Sequence, residues 1–326
     1  MCSENSSHSR DCNAIKDRSN ILQSQQKKSG LIFDIQKFAL NDGPGIRTLV
    51  LMKGCPLRCE WCGNPESQKT CPEIIYYSEK CLNCNRCIDV CNHKEAAESG
   101  LPNNDKYCIG CGKCADACYP QARQLVGKWI DKEGLLEIVK KDRAFYLQSN
   151  GGVTIGGGEP TMQSRFLSDF LKECKAISIN TAIETCGYSS WKKMKSVLDY
   201  TDLLLFDIKH IDSEKHKKYT GVENELIIRN AIKAVDYVNE MIVRLPLIPG
   251  FNDSYEDLNL IGEFVRQKLP GIKRVDILPY HSVGESKSMR LGREYGLKGL
   301  RTLAKEEVCK SKEILEAYTF DVKVIN

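Results

Sequence analysis

No run of about 18 apolar residues occurs in the chain, so the sequence offers no membrane-spanning helix. Residues 1–30 are rich in Ser, Asn, Gln and Lys and lack an apolar core segment, so no secretory signal is visible. Strong charge is missing too. The formal net charge is +4 and the pI about 8.2, short of the pI above about 9 and the clustered basic face of a nucleic-acid-binding domain. One basic stretch, Lys209 to Lys218, is interrupted by Asp212 and Glu214 and reads mostly as a solvated face. No catalytic triad, P-loop or dinucleotide fingerprint is present. These absences set aside a membrane partner and a nucleic-acid partner.

What the chain has is cysteine, seventeen in 326 residues. Disulfides belong to oxidising compartments and mostly to small secreted domains, so a cytoplasmic iron–sulfur protein is the consistent reading. Three cysteines stand together in Cys55-Pro56-Leu57-Arg58-Cys59-Glu60-Trp61-Cys62, with Gly54 before them and Gly63-Asn64-Pro65 after. A [4Fe–4S] cluster normally takes four thiolates. Three at this spacing hold three irons and leave the fourth open to another ligand. A zinc site would want a fourth Cys or His at regular spacing, and the nearest His, His93, lies far off beside a different cysteine group. This C-x3-C-x2-C loop resembles the radical S-adenosylmethionine (SAM) superfamily. The resemblance implies that the free iron chelates the amino and carboxylate groups of SAM.

Residues 1–29 lack hydrophobic periodicity and read as a disordered polar tail, with Cys2 and Cys12 as spare thiols. Folding is expected from near Leu31, where Leu31–Phe38 has the apolar richness of a strand. Thr48–Lys53 reads as a buried strand that delivers the cysteine loop at its C-terminal end. Between them lies Asn41-Asp42-Gly43-Pro44-Gly45-Ile46-Arg47, which alone would be a turn. Followed so closely by the cysteine loop, it resembles the activating enzymes of glycyl radical enzymes. That resemblance makes Asp42 a candidate contact to a partner protein.

A second constellation fills residues 81–118. Cys81, Cys84, Cys87 and Cys91 form C-x2-C-x2-C-x3-C, and Cys108, Cys111, Cys114 and Cys118 repeat it. This is the bacterial two-cluster ferredoxin pattern, in which the fourth cysteine of each run ligates the other cluster. The pattern assigns Cys81, Cys84, Cys87 and Cys118 to one auxiliary [4Fe–4S] cluster, and Cys108, Cys111, Cys114 and Cys91 to the other. Two four-cysteine zinc sites are the alternative, although zinc favours paired C-x2-C units. Asn92 follows Cys91 where Pro is usual, and Tyr119 comes between Cys118 and Pro120.

From about Trp129 helical patterns alternate with apolar strands, the signature of βαβ units and a parallel sheet. Helices are expected near 134–143, 163–175, 190–199, 224–239, 254–268 and 302–318. Strands are expected at 152–155, 177–185, 203–208, 241–247 and 275–278, with a last one at 320–325. With Thr48–Lys53, and without the last strand, six βα units result. The fold class is α/β: an incomplete (β/α)6 radical SAM barrel with an inserted ferredoxin-like domain for two [4Fe–4S] clusters. The barrel takes residues 30–66 and 128–326, and the insertion 67–127. Right-handed crossovers put the loops after the strands on one rim.

At that rim the resemblance supplies roles. Gly157-Gly158-Glu159-Pro160 ends a strand; glycines let the backbone approach a ligand, and the family's motif binds the SAM amino group. Related activases often carry Ser where this chain has Gly156. Glu184 and Thr185 would lie beside SAM or a monovalent cation, Lys209 on the SAM carboxylate and Asp207 near the cation. Arg244, costly inside a barrel without an anionic partner, joins the SAM site, and His281 matches a SAM-contacting His, with a satisfied structural His as the competing role. Cys186 reads as an apolar filler.

The resemblance spans residues 31 to about 295. It implies reductive cleavage of SAM at the cluster on Cys55, Cys59 and Cys62, and hydrogen abstraction from a backbone glycine of a partner glycyl radical enzyme. It also implies three [4Fe–4S] clusters and a flavodoxin- or ferredoxin-type reductant. A radical SAM enzyme acting on a small molecule or another peptide, and a ferredoxin-like electron carrier, are the other two readings. The partner's identity, the oligomeric state and the role of the auxiliary clusters, as relay or as staple, are open at this level.

Overall fold

The computed structural model describes residues 28–93 and 108–325. Most of the expected tail, with Cys2 and Cys12, lies outside the described residues.

The first strand, β1 (Ser29–Ala39), begins slightly earlier than the sequence suggests and takes in Ser29, which the apolar pattern had left to the tail. It pairs antiparallel with β2 (Arg47–Met52), the strand that leads into the cysteine loop. A short hairpin follows, β3 (Glu73–Tyr76) with β4 (Arg123–Val126), and it brackets the second cysteine constellation. Next comes β5 (Lys128–Asp131), which the sequence does not reveal because it is mostly exposed and lacks an apolar run. It covers the free edge of β1 in antiparallel register, Leu31 opposite Trp129.

The remaining strands are β6 (Gly152–Gly157), β7 (Asn180–Thr185), β8 (Leu203–Asp207), β9 (Met241–Leu247), β10 (Arg274–Pro279) and β11 (Asp321–Val324). All are parallel to β2, and the sheet runs β5-β1-β2-β6-β7-β8-β9-β10-β11. The last strand joins through Val275 opposite Val322, so the parallel strands number seven, one more than the six units counted from sequence. Helices fill the crossovers close to the expected positions, for example Ser164–Ala176 and Tyr255–Lys268. Further helices at Arg143–Ser149, Ser213–Thr220 and Val283–Arg290 were not expected; the last two are mostly polar.

Strand alternation divides the apolar mass into two layers. Leu204, Phe206, Val243, Leu245, Val275 and Ile277 face the helices in one large core cluster. The alternate positions Ala182, Leu203, Leu205 and Ile242 form a small separate cluster on the inner face. In the same inner parity, nearer the C-terminal ends, come Glu184, Asp207 and Arg244. The inner face is therefore apolar low down and charged high up. The segment before β2 closes it from below. Arg47 is fully buried and donates to Thr154 Oγ1 (2.6 Å), Val153 O (2.8 Å) and Pro44 O (3.2 Å). With those neutral acceptors, burial draws the Arg47 guanidinium down to about 10.

Candidate active site

Seven parallel strands aim their C-terminal ends at one cavity of about 630 Å³. Cys55, Cys59 and Cys62 line it from the loop after β2, Gly157 and Gly158 from β6, Glu184 and Thr185 from β7. Asp207 and Lys209 come from β8, His281 follows β10, and Ile325 follows β11. Only a sheet that curls around the cavity can bring these ends together, as the expected incomplete barrel requires.

The cysteine loop is pinned on both sides. Gly54 N–H donates to Ser67 O (2.6 Å) and Cys55 N–H to Gln68 O (3.2 Å). Arg58 N–H and Glu60 N–H donate to Thr220 O (2.7 Å) and Tyr219 O (3.1 Å) at the end of the Ser213–Thr220 helix. The Arg58 guanidinium folds back onto Cys55 O (2.7 Å) and Leu57 O (2.8 Å). Burial pushes all three thiols up, Cys59 to about 12; neighbouring thiols raise Cys55 and Cys59 further, and Glu66 raises Cys62. A thiolate in such a place needs a metal to replace the lost water, and three sulfur donors on one cavity wall fit an iron–sulfur cluster. Among the described residues no three His, Cys, Asp or Glu side chains converge closely enough for a single metal ion.

The glycines of β6 are dictated by contact. Gly157 has φ +104°, and a Cβ there would lie 2.7 Å from Met52 N. A Cβ on Gly158 would come within 2.3 Å of Gly54 O. Glu159 does not line the cavity. Its buried carboxylate accepts from Thr161 N (3.0 Å), Thr161 Oγ1 (2.6 Å), Thr185 Oγ1 (2.7 Å), Cys186 N (2.9 Å) and Cys186 Sγ (3.0 Å). It is spent on clamping the β6 loop to the end of β7, which leaves carbonyl oxygens of the glycine segment as the acceptors for an ammonium group. The Cys186 thiol, pushed up by burial and by Glu159, is a donor in that clamp rather than a passive filler.

On the opposite wall Lys209 pairs with Asp207 at 2.7 Å. Burial alone would draw the Lys209 ammonium down. The Asp207 carboxylate, with Cys59 and Cys186 nearby, holds it above the ordinary lysine value instead. The basic stretch read as solvated is therefore partly interior. Lys209, His210 and His216 are buried, while Lys215, Lys217 and Lys218 remain on the surface. Arg244 sits one layer below the cavity, bonded to Glu184 Oε1 (2.7 Å) and Asn41 O (2.5 Å), with Asp42 Oδ1 at 3.7 Å. Burial raises the Asp42 carboxyl, as does the nearby Glu184 charge. His281 stands exposed at the rim beside Gly63.

The second cysteine constellation repeats in structure as well as in sequence. Helix Arg86–Asp89 and helix Lys113–Asp116 occupy equivalent places in the two cysteine runs. Each is preceded by two left-handed residues, Asn83 and Asn85 in the first run and Gly110 and Gly112 in the second. Cys91 N–H donates to Ile88 O (3.2 Å) as Cys118 N–H donates to Ala115 O (3.1 Å). Burial pushes the Cys114 thiol up to about 11, and Cys108, Cys111 and Cys91 are close enough to push it further. Cys91, the fourth cysteine of the first run, thus lies near Cys108 and Cys114 of the second.

Sequence reasoning missed the buried ions that join these parts. Lys53, the residue after β2, bonds to Glu73 of β3 at 2.8 Å, and Glu73 also receives Arg293. None of these carries a motif.

Fold and site together define a radical SAM enzyme, and residues 49–261 match the radical SAM superfamily. The choline trimethylamine-lyase activating enzyme of Oleidesulfovibrio alaskensis is 42% identical over 307 residues, 92% of this chain and 99% of that one. The trans-4-hydroxy-L-proline dehydratase activating enzyme of Clostridioides difficile is 39% identical over 297 residues, 90% of this chain and 98% of that one. A radical SAM methyltransferase structure from Sphaerobacter thermophilus shares the fold, with a TM-score of 0.52 at 11% identity over 97% of this chain and 84% of that one. This chain belongs to the activating enzymes of glycyl radical enzymes within the radical SAM superfamily.

Proposed function

We propose that the chain binds SAM at an open [4Fe–4S] cluster on Cys55, Cys59 and Cys62, and that its ferredoxin-like insertion carries two more clusters that relay electrons inward. When bound and reduced, the site cluster supplies one electron to the SAM sulfonium, breaking S–C5′ to give methionine and a 5′-deoxyadenosyl radical that takes hydrogen from a glycine Cα of the partner. The protein's part is to hold and orient. The glycine-segment carbonyls accept from the SAM ammonium, and Lys209 faces its carboxylate. Arg244 holds the Glu184 side chain in place from below. Glu184 and Asp207, with Thr185, form the wall where a monovalent cation would sit, completed by carbonyl oxygens. His281 stands at the rim, and Asp42, beside Arg244, is the proposed contact to the partner.

The observation that carries this reading is the convergence of the three half-buried cysteines, Glu184 and the Lys209–Asp207 pair on one cavity. A flavodoxin- or ferredoxin-type protein is the proposed reductant and the cytoplasm the proposed compartment. The fifteen described cysteines, all free thiols, support a reducing environment.

Anaerobic electron paramagnetic resonance tests it. The reduced, cluster-loaded protein and SAM are mixed with each of a panel that includes choline trimethylamine-lyase and trans-4-hydroxy-L-proline dehydratase. A glycyl doublet with one member is expected. Formation of 5′-deoxyadenosine without a doublet from any partner would overturn the partner class, and no 5′-deoxyadenosine would overturn the SAM reading.

A further inference from the structure

The two cysteine runs repeat in backbone but not in surroundings. At matching left-handed positions the second run has Gly110 and Gly112, the first Asn83 and Asn85. A Cβ on Gly110 would lie 2.1 Å from Pro72 O, and one on Gly112 would lie 3.0 Å from Leu125. The second run is thus pressed against the β3–β4 hairpin so closely that only glycine fits, and the neighbouring Glu73 pairs with Lys53, two residues from Cys55. The first run has room for asparagine side chains because it faces outward: Leu82, Asn83, Cys84, Asn85 and Arg86 are all exposed.

Exposure there is unusual in kind. Leu82 is 69% exposed and Tyr119 86%. Each directly follows a cysteine of the same crossed group, Leu82 after Cys81 and Tyr119 after Cys118. Leu82 and Tyr119 are thus large exposed side chains next in sequence to two cysteines of the group assigned to the exposed Cys84. Lys80 and Arg86 add positive charge beside them, and the acid next to Lys80, Glu79, is engaged by Arg290. Asp89 lies at the far end of the short helix.

We infer that the Leu82–Cys84–Tyr119 face is the docking surface for a small electron-carrier protein with an acidic rim. Electrons then enter through the group of Cys81, Cys84, Cys87 and Cys118 and leave through that of Cys108, Cys111, Cys114 and Cys91 toward Cys55. The apolar pair supplies a dry contact over the exposed group, and Lys80 and Arg86 steer the acidic partner. The transfer is of one electron: the reduced carrier is oxidised as the outer group is reduced. This rests on the three-cluster reading above.

The test uses the anaerobic, cluster-loaded full chain and a reduced acidic ferredoxin, with dithionite as a small reductant that needs no docking. Iron content is measured first. About twelve irons per chain are expected, and about four would overturn the three-cluster reading and this inference with it. The double variant Leu82→Ser/Tyr119→Ser should keep its iron and its bleaching rate with dithionite while losing about tenfold in the ferredoxin-driven rate. Arg86→Glu should flatten the dependence of that rate on ionic strength. Full iron content with an unchanged ferredoxin-driven rate in the double variant would place electron entry elsewhere and overturn the docking surface alone.

Discussion

The Lys53 ammonium and the Glu73 carboxylate form an ion pair at 2.8 Å with both side chains buried. It fastens the strand that delivers the site cysteines to the hairpin that carries the insertion. Lys69 at 3.4 Å and Arg293 converge on the same carboxylate, and Lys53 also donates to Glu66 O. Removing one partner of a buried pair strands the other charge. Glu73→Gln should therefore cost about 3–5 kcal/mol, read as a fall in the denaturation midpoint. Adding Lys53→Met to that variant should recover part of the loss. A Glu73→Gln protein as stable as the parent would show that the pair does not hold the two parts together.

Gly156 carries a second expectation. A Cβ there would sit 2.8 Å from Glu184 Oε2. The small residue that looks like a missing hydroxyl contact is thus the space that the Glu184 carboxylate occupies while it pairs with Arg244. Gly156→Ser should push Glu184 out of line and weaken SAM binding about tenfold, roughly 1.4 kcal/mol. Titration calorimetry under anaerobic conditions measures it, and an unchanged dissociation constant would show that the position of Glu184 is immaterial.

What sequence could and could not reveal follows from distance along the chain. Cys55, Cys59 and Cys62 share one loop, and Asp207 and Lys209 one strand end, so local spacing was enough to bring each set together. Asp42 turns toward Arg244, about 200 residues on, and Glu159 spends its carboxylate on Thr185 and Cys186 of the next strand. Motif reading alone would send both side chains to a ligand or partner. The hairpin strands β3 and β4 are four residues each and separated by the whole cysteine block, and β5 has too little buried surface to leave an apolar pattern. The structural repeat at Asn83/Gly110 was legible as spacing, but its inward and outward halves depend on Pro72 and Leu125.

The relay and the staple are separated by single thiols. Cys84→Ala and Cys111→Ala each remove one ligand from a different auxiliary group, and each should lower iron from about twelve toward about eight per chain. Under a relay, both should slow reduction of the site cluster by a protein donor while dithionite still reduces it. A folded variant with full-speed protein-driven reduction would leave the insertion a structural staple.

His216 gives the fold a pH dependence of its own. Its ring is buried, Nδ1–H donates to Val222 O at 2.7 Å, and Nε2 has no hydrogen-bond partner. Protonation would place a charged, unsatisfied donor in the interior. Burial accordingly draws its pKa down to about 4; Lys209 and His210 nearby push the same way, Glu225 against. A histidine whose folded pKa lies below the unfolded value of about 6.5 is protonated preferentially in the unfolded chain. Its contribution is therefore complete above about pH 6.5 and lost as the pH falls toward 4. Between pH 7.5 and 5 the loss from His216 should be about 2 kcal/mol. Burial also lowers His210, which adds in the same sense. Urea unfolding across that range measures the slope, and His216→Gln should flatten it. Equal slopes in variant and parent would mean that the His216 ring protonates without penalty.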